Sequence, residues 1–169
     1  MASPSLPAVL LLLAFPAQAA GSEPVLQRVE GGWMATVVVP SAPDVVRAAL
    51  ADVGDPALRS RDVISMEITP HNGCQEVRGR TRGLSRPLTY HTLRCPTATG
   101  YRETLQETGD YKQFESEWRI DPVEEGSRVS FRTVADPDLP VPRALVLANM
   151  KRSTLAMVNA LVDQLAGGR

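Results

Sequence analysis

The chain has 169 residues, with 18 Lys and Arg against 19 Asp and Glu and a formal net charge of −1. This balance excludes nucleic-acid binding by bulk electrostatics, which needs a basic excess or a concentrated patch. Two Cys and two His cannot supply a zinc site of standard spacing; no acidic run has the EF-hand pattern and there is no Gly-rich phosphate loop, so no metal or cofactor is expected.

Leu6 to Pro16 is an apolar run too short to cross a bilayer as a helix, and it ends at Ala17-Gln18-Ala19, a small-x-small cleavage pattern. Residues 1–19 therefore read as a secretory signal peptide, although Met1 to Ser5 carry no Lys or Arg. The expectation is an exported protein, periplasmic or secreted. The absence of a Cys after the run argues against a lipid anchor, and no later segment is long and apolar enough to span. Residues 20–169 are about the length of one domain, enough to bury a sizeable core.

Trp33 to Val39 is rich in β-branched residues and stops at Pro40, as a first strand does. Ser41 as N-cap, Pro43 in the first turn and Asp44 at the positive helix end predict a helix over Ser41–Asp52. Asp55-Pro56 predicts a second short helical turn. From Arg61 to Ala135 every segment reads as strand. The breaks fall at Pro70-His71-Asn72-Gly73, Gly83-Leu84-Ser85-Arg86, Pro96 to Thr99, Thr108 to Tyr111 and Val123 to Gly126, and they are short enough for antiparallel hairpins. The chain ends in an amphipathic helix over Val141–Leu165, about 35 Å long. Its apolar stripe, Leu147, Met150, Thr154, Val158, Leu161 and Leu165, needs a sheet to cover.

Centring each hairpin on its turn sets the registers. Val77 falls opposite Thr92, Gly79 opposite Tyr90, Arg94 by Tyr101, Thr92 by Glu103, Glu103 by Ser116, Tyr101 by Trp118, Trp118 by Phe131 and Ser116 by Thr133. One face then carries Glu76, Arg78, Arg80, His91, Glu115, Glu117, Arg119 and Arg132, with Glu117 opposite Arg132, and reads as solvated. The same register sets Cys74 opposite Cys95. In an exported protein that predicts a disulfide, with two unpaired structural cysteines as the alternative.

The inner face has an apolar row (Gly79, Tyr90, Leu105, Phe114, Ala135), a polar middle row (Val77, Thr92, Glu103, Ser116, Thr133) and a third row (Gln75, Arg94, Tyr101, Trp118, Phe131). A carboxylate on an inner face is costly unless paired or wet. Glu103 with Arg94, Thr92, Ser116, Thr133 and Tyr90 therefore reads as the polar anchor of a mostly apolar pocket, to which Met150, Thr154 and Met157 add from the helix. A one-residue bulge before Glu103 would instead turn it outward. Glu103 and Tyr90 are the candidate acid–base pair should the pocket be catalytic. His91 falls on the outer face and His71 in a turn. No Gly-x-Ser-x-Gly elbow is present. Arg78, Arg80, Arg82 and Arg86 form a basic stripe, either simply solvated or able to touch anionic lipid transiently.

The order strand, two helices, six strands and long helix is joined by Gly109-Asp110-Tyr111-Lys112-Gln113-Phe114-Glu115-Ser116-Glu117-Trp118-Arg119-Ile120, by Gly126-Ser127-Arg128-Val129-Ser130-Phe131, and by Pro137 and Leu139-Pro140 before the last helix. From Trp33 to Leu165 this resembles the START/Bet v 1-like (SRPBCC) superfamily, in its polyketide cyclase/dehydrase and coenzyme Q-binding branch. The resemblance implies an α+β helix-grip fold, a seven-stranded antiparallel sheet wrapped around the C-terminal helix with two short helices between strands 1 and 2. It also implies a cavity for a lipid, sterol, quinone or polyketide-like molecule. Carriers and enzymes both occur on this fold, and a ligand-free interaction module remains a third reading. Access is expected around Asp136 to Pro142 and the helix preceding Asp52. The sequence leaves the oligomeric state open.

Overall fold

The computed structural model describes residues 22–52, 54, 58 and 62–167. The expected signal peptide and the Asp55-Pro56 turn lie outside the described residues. Among the described residues, the chain forms eight strands and two helices. The strands are β1 (Val25–Val29), β2 (Gly32–Val39), β3 (Val63–His71), β4 (Cys74–Arg82), β5 (Pro87–Pro96), β6 (Gly100–Leu105), β7 (Tyr111–Val123) and β8 (Gly126–Pro137); helix α1 (Pro43–Ala51) follows β2 and α2 (Arg143–Gly167) follows β8. One antiparallel sheet has the order β1-β2-β8-β7-β6-β5-β4-β3.

Seven strands were expected; the additional one is β1. It pairs with β2 from Val25↔Thr36 to Val29↔Gly32, through a turn in which Gly31 has φ +73°. The signal for it was Val-Leu-Gln-Arg-Val followed by Glu30-Gly31-Gly32, a short edge strand and a two-residue turn. Helix α1 starts two residues later than Ser41 and its N-cap position is Ala42, with no side-chain cap. Ser41 instead gives its carbonyl to the Ser127 hydroxyl at 2.7 Å, which ties the entry of α1 to β8. The β3–β4 hairpin turns on Asn72 and Gly73 alone, both at positive φ, so Pro70 and His71 belong to β3. Pro70 is tolerated there because β3 is an edge strand.

The expected pairings hold between β4 and β5, β6 and β7, and β7 and β8, including Val77↔Thr92, Glu103↔Ser116 and Trp118↔Phe131. Between β5 and β6 the register differs by two residues. Arg94 lies opposite Glu103 and Pro96 opposite Tyr101, because β5 continues through Pro96 and the turn is centred one residue later than expected. An even shift leaves every side chain on its face, and the ladder around Glu103 carries no bulge. The outer face is charged as expected, but Arg132 reaches diagonally to Glu115 at 2.9 Å rather than across to Glu117.

Cys74 and Cys95 are joined by a disulfide at the open end of the β4–β5 pair. The main core gathers Val37 and Val39 of β2, Val46 and Leu50 of α1, Trp118 and Ile120 of β7, and Val158 and Leu161 of α2. A smaller cluster of Ala135, Val146 and Met150 lies under the first half of α2. There the Trp33 indole N–H donates to the Leu147 carbonyl at 2.9 Å, with the cations of Arg28 and Lys151 over its ring. Helix α2 thus packs on β2, β8 and α1, and the β3–β5 half of the sheet is left to face it across a space.

Candidate functional site

That space is a cavity of about 230 Å³ between the sheet and α2. The sheet contributes Val77, Leu88, Tyr90, Phe114, Phe131 and Ala135 to its wall. Helix α2 contributes Val146, Met150 and Met157, with Asn149 and Ser153 between them. These positions are spaced by three or four residues and form one helical stripe. Arg82, Gly83 and Leu84 of the β4–β5 tip and Pro137 and Leu139 of the β8–α2 connection complete the lining. Leu84 is 45% exposed, which sets this tip at the rim. The tip is held by Arg86, which pairs with Asp110 at 2.7 Å. Asp110 also accepts the Thr89 backbone N–H and hydroxyl, each at 2.7 Å, and these partners hold its carboxyl below the usual carboxylate range, the Arg86 bond most of all.

Tyr90 reaches the cavity because residue 79 is a glycine. A Cβ at position 79 would stand 2.4 Å from the Tyr90 ring, so the ring lies flat over the β4 backbone. It stacks near Phe114, centroid to centroid 6.4 Å, and Tyr111 meets Phe114 edge-on at 5.8 Å.

The polar middle row enters the cavity at Glu103, Ser116 and Thr133. Glu103 accepts a hydrogen bond from the Thr92 hydroxyl at 2.5 Å and another from the Ser116 hydroxyl at 3.3 Å. Thr92 is fully buried and stands behind the carboxyl rather than on the wall. Burial pushes the Glu103 carboxyl up from its ordinary value; the Thr92 bond, the nearby Arg94 charge and the Ser116 bond oppose this without reversing it. The Thr133 Oγ1, beside Ser116 on the next strand, is buried with no hydrogen-bond partner.

Arg94 is not among the residues that line the cavity. The residue is 4% exposed, and its guanidinium donates to the carbonyls of Leu50 and Ala51 and to Gln75 Oε1, the last at 3.0 Å. Those two carbonyls end α1, so the cation sits where the helix dipole is negative and carbonyls lack intrahelical partners. Its other side lies over the Tyr101 ring, 4.1 Å from the centroid, and Tyr101 donates its hydroxyl to the Arg47 carbonyl at 3.3 Å. Arg94 and Tyr101 are therefore the seat of α1. Desolvation lowers the Arg94 pKa from its ordinary value.

Of the residues expected at the site, the structure brings Tyr90, Glu103, Phe114, Ser116, Phe131, Thr133, Met150 and Met157 to the cavity wall. Thr92, Arg94, Tyr101, Trp118 and Thr154 are not on it. Trp118 lies in the core beneath, stacked on Phe131 at 4.3 Å, and Thr154 is buried on α2. Sequence reasoning missed Tyr111, taken as turn, and Asn149 and Ser153, whose polarity hid them from an apolar count although they share the spacing of Val146, Met150 and Met157. On the outer face His91 Nε2 is hydrogen-bonded with Glu76 at 2.5 Å and its Nδ1 lies 3.2 Å from a Glu107 oxygen, away from the cavity.

No protein-family model matches the sequence, and no curated protein matches it significantly. Solved structures do match. A START superfamily protein from Mycobacterium smegmatis superposes with a TM-score of 0.67 at 16% identity, over 80% of this chain and 97% of that one. The Zhui aromatase/cyclase from Streptomyces sp. R1128 gives 0.62 at 20% identity, over 78% and 90%. A STAR-related lipid transfer protein from Xanthomonas axonopodis gives 0.62 at 19% identity, over 83% and 91%. The fold is the START/Bet v 1-like helix grip. In START-like terms α2 is the gripped helix, and the cavity is the space that the sheet encloses against it. At these identities the likeness concerns the fold, and fold alone does not assign chemistry.

Proposed function

We propose that the chain is an exported binding or carrier protein that holds one hydrophobic small molecule between the sheet and α2. The observation that carries this reading is a mostly apolar cavity with convergent polar groups at one place on its wall, the arrangement expected of a small-molecule site. The solved START-like neighbours include a lipid transfer protein and an aromatase/cyclase, which supports an apolar cargo. Export is supported by the apolar N-terminal run ending at Ala17-Gln18-Ala19 and by the Cys74–Cys95 disulfide, a bond typical of oxidising compartments. No described helix is long and apolar enough to cross a membrane.

Organic extraction of protein purified from its natural host, followed by mass spectrometry, tests the reading. A stoichiometric apolar compound is expected, and Ser153→Trp, which fills the cavity from α2, should lose it. Equal recovery from the filled variant would place the compound elsewhere.

One observation favours a second reading, a cyclase- or dehydratase-type enzyme. Glu103 combines a carboxyl pKa raised by burial with a position on the same wall as Tyr90, the direction of shift and the placement that a general acid needs. Glu103→Gln separates the two: a carrier keeps its cargo, whereas an enzyme keeps binding and loses turnover.

A further inference from the structure

We infer that the cavity selects a small molecule whose leading end is a single uncharged oxygen, a hydroxyl or a carbonyl, and rejects anionic head groups. This rests on the cavity being a ligand site and names the chemistry that site would accept. Three observations lead to it. The cavity, about 230 Å³, falls just below the range of about 300–1,000 Å³ usual for ligand pockets, so it suits a compact molecule and not a lipid with two long chains. Glu103, Ser116 and Thr133 lie side by side on β6, β7 and β8 and put three polar side chains together on the sheet wall, apart from Thr81 and Tyr111, whose hydroxyls pair with each other. Finally, no cation faces this polar spot. Among the described lining residues the one cation is Arg82, on the exposed β4–β5 tip, while Arg94 is committed to the end of α1.

An anion pushed to this spot would lose its hydration and meet a carboxyl group, with no cation on the wall to pair with and only the field of Arg94, already hydrogen-bonded to the end of α1, to offset the cost. A neutral oxygen loses far less and can regain it. A carboxyl in its protonated form donates one O–H and accepts at its other oxygen, and the Thr133 hydroxyl, without a partner in the structure, can donate or accept. The burial that raises the Glu103 pKa favours that protonated form. Selection thus follows from two things: carboxyl and hydroxyl oxygens gathered on the wall with no cation among them, and the diversion of the nearest guanidinium to α1.

The test uses the full protein and the neutral dye N-phenyl-1-naphthylamine, displaced at about pH 8, where decanoate is ionised, by 1-decanol, 2-decanone or decanoate. The alcohol and the ketone are expected to displace it at concentrations at least about tenfold lower than decanoate, the ratio that one lost hydrogen bond of ordinary strength produces. Decanoate displacing the dye as well as decanol overturns the inference and leaves the cavity a ligand site. Should the dye fail to bind, and decanol, decanone and decanoate each show no binding by titration calorimetry, both are overturned. Glu103→Leu should weaken decanol about tenfold, and Glu103→Gln, which still offers a donor and an acceptor, by no more than about threefold. Decanol affinity unmoved by Glu103→Leu also overturns the inference; should that variant not fold, the wild-type displacement series decides alone.

Discussion

Replacing Arg94 by Met keeps most of the side-chain volume and removes the guanidinium that ends α1. The loss can be worked from its contacts. Arg94 makes one short bond to the Leu50 carbonyl, one of 3.0 Å to Gln75 Oε1 and a long one of 3.4 Å to the Ala51 carbonyl. Charge-assisted bonds contribute roughly 1.5–3 kcal/mol each before the cost of burying the ion. The ring contact with Tyr101 adds about 1 kcal/mol or slightly more. Against these stands the desolvation of a 4%-exposed cation, which Met no longer bears and which offsets several kcal/mol. What remains is dominated by two helix-end carbonyls left without donors. The expected net loss is about 2–4 kcal/mol, and for a chain of this size that lowers Tm by roughly 5–15 °C. Urea unfolding followed by circular dichroism reads it as a lower midpoint at unchanged m. If Arg94 were instead a ligand anchor, Arg94→Met would cost affinity and leave stability intact. A loss below about 0.5 kcal/mol, within the scatter of ordinary surface substitutions, would therefore refute the assignment of Arg94 to α1.

The Cys74–Cys95 bond closes a loop with a sequence separation of 21, worth roughly 3 kcal/mol in the chain-entropy account. The double Cys→Ala variant should melt about 6–12 °C lower, and an unchanged melt would mean that the bond does not form in the purified protein. Glu103 is predicted to make stability fall as pH rises. Its folded-state pKa is raised, so its contribution is fully present below the unfolded value of about 4.3 and is lost as pH climbs through the folded one. Glu103→Gln should then gain stability relative to wild type between acid and neutral pH, and a difference that is flat with pH contradicts the burial of that carboxyl. Gly79→Val forces the Tyr90 ring off the β4 backbone, since even a Cβ there stands 2.4 Å from it. A loss of about 1–3 kcal/mol with weakened dye uptake is expected; unaltered melting and uptake would show that the ring has another resting place.

Much of the site is legible in the sequence, for a geometric reason. Side chains alternate along a strand, so hairpins of known turns assign residues to faces even when a register is off by two. That is why Glu103, Ser116, Thr133, Tyr90 and Phe131 were placed inside correctly although the β5–β6 pairing was displaced. What alternation cannot reveal is the depth at which an inward residue stops. Trp118 and Phe131 are neighbours on one row, yet Phe131 lines the cavity while Trp118 closes the core below it. Strand β1 escaped notice because five residues at an edge, largely exposed, carry little apolar pattern.

The sequence by itself determined the succession of strands from β2 to β8, the inner and outer faces of β4 to β8, the placement of Cys74 opposite Cys95 and the long C-terminal helix, because each follows from local periodicity and turn chemistry. Only the tertiary structure decided what Arg94 does. Read along the chain it is a cation beside an inward glutamate, and its partner could have been that carboxylate or a ligand. The fold brings the carbonyl end of α1 within its reach, some forty residues away in sequence, and a guanidinium buried with helix-end carbonyls is satisfied there. That contact, invisible to any local pattern, leaves Glu103 on the cavity wall with hydroxyl groups as its hydrogen-bond partners.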